Sequence, residues 1–320
     1  MKLSDFHFPN LRQNTPLGRY TSARIGGPAD VLVVVESADE LARLVTQLWK
    51  EDLPFMILGG GSNVLVSDAG VRGVVVINHN QPGTGFRFDE KSEPPTVWTE
   101  AGVSLSALAQ QAAAQGLGCL EWSSGIPGTV GGAVVGNAGA HGSDIADNLL
   151  VAEILHRVEG SGAVSRREEW PVERFNYQYR SSALKSRAQK GLLRHAPQDI
   201  VLAALLRLER STPAEVQAKV ETITERRRRT IPPGASMGSI FKNPSRDGAS
   251  LSAGRLIEAA GLKGTCIGEA EISSQHANVF INRGEAKAAD FWALIQLARR
   301  TVEEKFGVKL ELEVELVGEW

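Results

Sequence analysis

The sequence predicts a mixed fold of α-helices and β-strands in two or three domains. Three observations carry that expectation. Buried-strand runs such as VLVVV at 31–35 alternate with amphipathic helical stretches. The 320 residues suit domains of ~100–200 residues each. A composition of 42% hydrophobic and 22% charged residues is that of a soluble globular chain, with neither disorder nor a fibrous repeat indicated.

The elements follow in order. After the strand at 31–35, Ser37-x-x-Glu40 has capping-box spacing and opens a helix with Leu41, Leu44, Val45 and Leu48 on one face. A second strand at 55–58 delivers GGGSN at 59–63. Residues 64–66 and 74–77 read as further strands, and the polar, proline-containing stretch 89–95 as a hairpin or surface loop. A domain change falls near 80–84. A strand at 97–100 precedes an alanine-rich helix at 104–115, stopped by Gly116 at the C′ position. Strand-like stretches at 151–158 and 200–208 flank a charged segment, 185–199, that reads as a loop insertion. Thr212-Pro213-x-Glu215 starts a helix with proline at N1, and it runs to Arg226–Arg229. A third unit begins near Thr230 with the loop MGSIFKNP. It closes with a helix at 290–306 and an alternating strand, KLELEVELV, at 309–317.

Two glycine loops are the chemically informative part. Residues 122–143, WSSGIPGTVGGAVVGNAGAHGS, run 22 positions without a charged residue and contain seven glycines, with Trp122 as the one bulky side chain. Repeated glycine permits φ > 0 and close approach of main-chain N–H groups to a ligand, at an entropic cost that ordinary packing does not justify. Together with GGGSN, this points to one large phosphate-bearing cofactor. The segment is not a membrane span, because Pro127 and the glycines break it. Nor is either loop a Rossmann or P-loop fingerprint: Val64 occupies the third-glycine position after Gly59 and Gly61, and no G-x-x-x-x-G-K-[ST] occurs.

Charge and cysteine usage exclude other classes. A formal charge of −2 from 35 basic and 37 acidic residues gives no field for nucleic acid, and the run Arg226–Arg229 suits a helix end. Cys119 and Cys266 form no C-x-x-C pattern, so neither a disulfide framework nor a zinc site is expected, and both read as buried thiols. The six histidines (His7, His79, His141, His156, His195, His276) lack metal-binding spacing, so no metal is expected. The start MKLSDFHFPN has no continuous apolar h-region, which leaves a cytoplasmic location.

Five motifs occur in order: GGGSNVLVSD at 59–68, SSGIPGTVGGAVVGNAGAHG at 123–142, YRSSALK at 179–185, GSIFKNP at 238–244 and ELEVELVGE at 311–319. Together, over about residues 14–319, they resemble the MurB family of UDP-N-acetylenolpyruvoylglucosamine reductases of peptidoglycan synthesis. GGGSN alone would point only to the wider FAD-binding family of vanillyl-alcohol-oxidase (PCMH) type. The resemblance implies an α+β, three-domain flavoprotein. Residues 1–82 and 83–228 would form two FAD-binding subdomains, and 229–320 a C-terminal α/β substrate domain whose last residues pack back on the first. It also implies non-covalent FAD, NADPH as co-substrate, a UDP-sugar substrate and a monomer. The short carboxy terminus looks like the type II branch. The insertion at 185–199 departs from the family's tight spacing after YRSS.

Carried over by motif, the FAD contacts are Gly59, Gly60, Gly61, Ser62 and Asn63, then Ser124, Gly125, Ile126, Pro127, Gly128, Thr129, Gly132, Asn137, Ala138 and Gly139. Tyr179, Lys242, Asn243, Gln275 and His276 match positions near the substrate's diphosphate and sugar. Hydride addition to the outer enolpyruvyl carbon leaves negative charge on the adjacent carboxylate and calls for a proton at the neighbouring carbon. Arg180 supplies a planar guanidinium for the carboxylate, and Ser239 is the general acid. Periodicity alone puts Glu311, Glu313 and Glu315 on one solvated face; the family's terminal motif selects Glu313, with Glu315 as the register alternative. A related FAD-dependent oxidase would leave GSIFKNP and the terminal glutamate motif unexplained. A non-catalytic UDP-sugar or flavin binder would have lost one of the three residues.

Overall fold

The computed structural model describes residues 6–158, 164–190, 196–246 and 249–320. They group into two compact units, each assembled from separated stretches of chain. The first takes the described residues up to 13, then 30–60 and 73–225; the second takes 14–29, 61–72 and 226–320.

The first unit is built on a five-stranded antiparallel sheet in the order Ser165–Pro171, Leu149–Arg157, Asp199–Arg207, Thr96–Glu100, Phe86–Asp89. Helix Ala38–Lys50 forms where the apolar period demanded it. Ser37 caps it by accepting from the Glu40 N–H at 3.2 Å, while the Glu40 carboxylate accepts from Glu36 N at 2.9 Å, one residue further back than a capping box at Ser37 requires. Its face of Leu41, Leu44, Val45 and Leu48 is fully buried. One neighbour is the apolar set Val31, Val33, Val35, Val74 and Val76; the other is Leu155, Ile200 and Leu202 of the five-stranded sheet. Burying one such side chain stabilises by about 1.5–3 kcal/mol, so Leu44→Ala would cost about 2–5 kcal/mol. The opposite face of the sheet carries helix Leu105–Ala114, capped by Ser104, and the short helix Val130–Gly136. Leu108, Trp122, Val130, Val134, Ile154 and Trp170 share that core.

One strand was not anticipated, and two expectations about the chain need correction here. Strand Ser165–Pro171 has no apolar alternation because it is a charged edge strand, with Trp170 as its only buried side chain. The segment at 185–199 is not simply a loop: helix Ala183–Lys190 covers its start and strand Asp199–Arg207 begins at its end, while 191–195 lie outside the described residues. The two thiols are not buried. Cys119 is half-buried, with a left-handed φ of 85°, and Cys266 is exposed on a two-residue strand at the margin of its sheet.

The second unit packs helix Ala288–Phe306 over a three-stranded antiparallel sheet, Cys266–Ile267, Ala270–Ile272 and Phe280–Asn282. Ile240, Phe241, Ile272, Phe280, Phe291 and Leu294 share its core. The helix starts two residues before Asp290. Its first N–H groups, on Ala288 and Ala289, donate to the Asp68 carboxylate at 2.9 and 3.0 Å, a favourable placement of negative charge at a helix N-terminus. Strand Val64–Val66 pairs in parallel with Glu315–Val317, Glu315 lying opposite Val64.

The long terminal strand expected at 309–317 is therefore only Glu315–Val317, and the chain bends at Glu313 and Val314. Its partners explain the bend. Glu313 N donates to Ile240 O at 2.8 Å, whereas Glu315 N donates to Asn63 O at 2.9 Å, so the segment changes neighbour between the two residues.

Candidate active site

The two glycine loops meet through their backbones. In the first unit, a Cβ built on Gly60 would lie 2.8 Å from Gly128 Cα, and one on Gly59 would lie 2.3 Å from Thr129 Oγ1. Only residues without a Cβ allow that approach. Gly125 and Gly128 have φ of 74° and 126°, and Thr129 then caps Val130–Gly136 by accepting from Gly132 N at 3.5 Å. Several loop N–H groups are engaged within the chain: Ser124 N to Glu121 O, Ile126 N to Ser123 O, Ala138 N to Ala133 O, and Gly125 N to Ser106 Oγ at 2.7 Å. The expectation that the whole loop is a row of ligand donors is narrowed accordingly.

Ser124 Oγ is different. It is buried and has no hydrogen-bond partner, a state that costs about 1–3 kcal/mol unless a ligand or water satisfies it. This orphaned hydroxyl, in the loop whose Gly128 and Thr129 form a cradle that a Cβ on Gly59 or Gly60 would fill, fits the polar diphosphate portion of FAD. The remainder of the first loop lies in the second unit. Gly61 has φ of 57°, and a Cβ there would come within 2.0 Å of Tyr20 O. Asn63 Nδ2 donates to Glu313 O at 3.0 Å, so one of its amide hydrogens ties the loop to the terminal segment.

Arg180 sits at the end of the long loop. Its φ is 56°, it is half-buried, and it donates from Nη2 to Gly139 O at 2.6 Å and from Nη1 to Asn137 O at 3.4 Å. Its guanidinium lies 5.1 Å from the ring centroid of Tyr179, which is 53% exposed. It is thus no surface-strand arginine. Asn137, left-handed at the end of the short helix, donates to Asp144 Oδ2 and Gln178 O, both at 3.1 Å, and links the glycine loop to the YRSS turn.

In the second unit the backbone brings Ser239 and Glu313 to adjacent segments. Ser239 bridges Val279 and is followed by Ile240, whose carbonyl accepts from Glu313 N at 2.8 Å. Glu313 is half-buried on the bend, whereas Glu311 and Glu315 are exposed, so the three glutamates do not share one environment. Lys242 Nζ lies 4.0 Å from Glu311 Oε2. Asn243 Oδ1 accepts from Ala253 N at 3.1 Å, which gives this side chain a structural part at the start of helix Ala253–Ala259. Gln275 is exposed and donates to Arg229 O at 2.9 Å. His276 accepts from Asn278 N at 3.3 Å through Nδ1, and burial holds its pKa below the usual imidazole value.

Sequence reasoning missed Asn278. Its buried amide brackets Phe241, accepting from Phe241 N at 3.0 Å and donating to Phe241 O at 2.8 Å, and so holds GSIFKNP in place. Such a clamp leaves no periodic signal. Among the described residues no cluster of three or more His, Cys, Asp or Glu is placed to hold a metal ion, and no helix is long and apolar enough to cross a membrane. Burial, reinforced by Glu209, pushes the Cys119 thiol up to about 11, so it is no activated nucleophile.

Comparison with known proteins agrees along the whole length. Residues 29–161 match the FAD binding domain family, and residues 231–317 match the UDP-N-acetylenolpyruvoylglucosamine reductase C-terminal domain. The UDP-N-acetylenolpyruvoylglucosamine reductase of Chloroflexus aggregans is 44% identical over 307 residues, covering 96% of this chain and 97% of the relative. That of Bacillus subtilis is 38% identical over 307 residues, covering 95% and 93%. The crystal structure of the Thermus caldophilus enzyme superposes with a TM-score of 0.74 at 34% identity, covering 98% of this chain and all of the other.

Proposed function

The chain belongs to the MurB family of UDP-N-acetylenolpyruvoylglucosamine reductases, and from that premise we propose how its own residues divide the work. The reaction is the flavin-dependent, NADPH-driven reduction of UDP-N-acetylglucosamine enolpyruvate to UDP-N-acetylmuramate, a step of peptidoglycan precursor synthesis. When bound, FAD supplies the hydride chemistry, relaying reducing equivalents from NADPH to the enolpyruvyl double bond.

The observation that carries the reading is the close approach of Gly59 to the Thr129 side chain and of Gly60 to the Gly128 backbone, together with the orphaned Ser124 hydroxyl in the same loop as Gly128. These residues hold FAD without a covalent link. Arg180 binds the substrate carboxylate and neutralises the charge that develops there; its two bonds to loop carbonyls pre-set the plane of the guanidinium. Ser239 donates the proton to the carbon next to the one that receives hydride. Support comes from its place in a loop fixed on both sides and from its hydroxyl, which no described residue engages. A serine needs a polarising neighbour for this work, and half-buried Glu313 on the adjacent segment fills that role. Tyr179, Lys242, Asn243, Gln275 and His276 orient the UDP-sugar. Residues 1–82 and 83–228 act as the FAD-binding subdomains and 229–320 as the substrate domain of a cytoplasmic monomer.

Anaerobic stopped-flow spectroscopy of the yellow protein tests the whole reading. NADPH should bleach the flavin, and the enolpyruvyl substrate should restore its colour without oxygen. Bleaching with no return of colour on substrate addition would refute it.

A further inference from the structure

Residues 14–29 of the second unit enclose an open pocket of about 820 Å³, lined by Pro16, Gly18, Arg19, Thr21, Ser22 and Arg24. No motif described above includes it. Arg19 and Arg24 are both exposed, and among the described residues no acid or hydrogen-bond acceptor engages either guanidinium. Two unneutralised arginines on one concave surface attract an anion.

The backbone at Arg24 points the same way. Its φ is 57°, in the left-handed region that bulky residues seldom occupy. A buried staple holds it there: Thr21 Oγ1 accepts from Ile25 N at 3.1 Å and donates to Ile25 O at 2.8 Å, and Arg24 N donates to Thr21 O at 3.1 Å. Glycine or asparagine would take this conformation with less strain. A long cation at a strained position is the pattern of a side chain kept for what it binds. Ser22 joins the pocket to two loops of the same unit, donating from its N–H to Gly61 O at 3.0 Å and from Oγ to Ser236 O at 2.7 Å. The pocket thus adjoins one glycine loop and the segment leading to Ser239.

We propose that this pocket is an anion subsite for a phosphate ester of one of the nucleotides in the reaction, with Arg24 and Arg19 as its charged donors. The guanidinium fork matches phosphate oxygens, and an open pocket lets the phosphate stay partly hydrated. The proposal rests on the reductase reading above, under which FAD, NADPH and the UDP-sugar all carry such groups.

The test uses the full-length holoenzyme and the variants Arg24→Gly, Arg19→Gln and their combination. Three quantities are measured: FAD dissociation, the KM for NADPH against that for NADH, and the KM for the enolpyruvyl substrate. Losing both arginines should weaken one ligand by about ten- to a hundredfold, as expected for lost hydrogen bonds to charged groups, and leave the other two unchanged. A rise in the NADPH value without a rise for NADH assigns the 2′-phosphate; a change in FAD release or in substrate KM assigns the corresponding diphosphate. Inorganic pyrophosphate should compete with that ligand in the wild type and not in the double variant. Arg24→Gly should keep or raise Tm, because the strain is relieved. The subsite is overturned if all three ligands bind the double variant as they bind the wild type, or if all three weaken together with a fall in Tm. A wild-type protein without reductase activity would instead refute the family reading, and the two failures are thereby distinct.

Discussion

Replacing Gly60 with alanine tests whether backbone contact between the two glycine loops is what retains FAD. The added Cβ would stand 2.8 Å from Gly128 Cα and 3.2 Å from Gly128 N, where ordinary contact begins at 3.4 Å. Both obstacles are backbone, so neither can rotate away. The loops must part by roughly 0.6 Å, in a region with the low compressibility of a packed interior. Overpacking of this kind costs about 1–3 kcal/mol. If that cost falls on the FAD-holding arrangement, affinity drops by about ten- to a hundredfold. FAD content after gel filtration, read from the ratio of flavin to protein absorbance, and Tm with and without added FAD provide the assay. Gly136→Ala is the control, because a Cβ there meets nothing within 4 Å and φ is not positive. At the end of helix Val130–Gly136, alanine should retain FAD and be neutral or stabilising by about 0.5–1 kcal/mol. Gly60→Ala protein carrying wild-type FAD at an unchanged Tm would refute the reasoning.

Other outcomes follow from the same geometry. Arg180→Lys should bind FAD but lose at least about a hundredfold in turnover, the effect of removing one pre-set donor from a developing charge; near wild-type turnover would return Arg180 to a structural role. Ser239→Ala should spare reduction of the flavin by NADPH and slow its reoxidation by substrate at least ~10²-fold, the lower range for a positioned acid, with Ser239→Cys retaining more activity than the alanine variant. Glu313→Gln should be impaired and Glu315→Gln active in steady-state assays, and the reverse result would move the catalytic position to Glu315. Because the Cys119 thiol is pushed up to about 11 by burial and Glu209, it stays protonated at pH 8 and becomes a thiolate only as pH approaches that value. Iodoacetamide at pH 8 should therefore label exposed Cys266 in the folded protein and Cys119 only after unfolding, as peptide mass spectrometry would show.

What could be read from the residues was whatever leaves a local trace. Helix Ala38–Lys50 was legible because an apolar period and a cap coincide within a few residues. Strands Leu149–Arg157 and Asp199–Arg207 were legible because both carry dense runs of apolar residues. The edge strand Ser165–Pro171 was not, since an edge strand needs no apolar face and this one is nearly all charged. The terminal glutamates show the same limit more sharply. Strict alternation from Leu310 to Leu316 predicts one solvated face, yet the change of hydrogen-bond partner from Ile240 to Asn63 bends the chain and buries part of Glu313 alone. A period describes a segment that keeps one neighbour throughout, and it fails where the neighbour changes. Arg180 is a second case: nothing in YRSS announces a left-handed arginine, because its conformation belongs to the carbonyls of Asn137 and Gly139 that it bonds.

The glycine loops are the exception that shows what a sequence can report about distant contacts. Gly59-Gly60 and Gly128 are far apart along the chain, and no period or cap relates them. Their approach is nevertheless foreshadowed, because so close an approach to the Gly128 backbone leaves no room for a Cβ at Gly60, and that absence is written in the residue type itself. The same logic separates glycines that matter from those that do not. Gly136 and Gly142 meet nothing within 4 Å and sit in the same loop as Gly128, so glycine density marked the region while only coordinates distinguish the contact from the spacer. Sequence could place the cofactor loop, and geometry was needed to say that Gly59, Gly60 and Gly61, rather than Gly136 or Gly142, are positions where the contacts of a single methyl group should be felt.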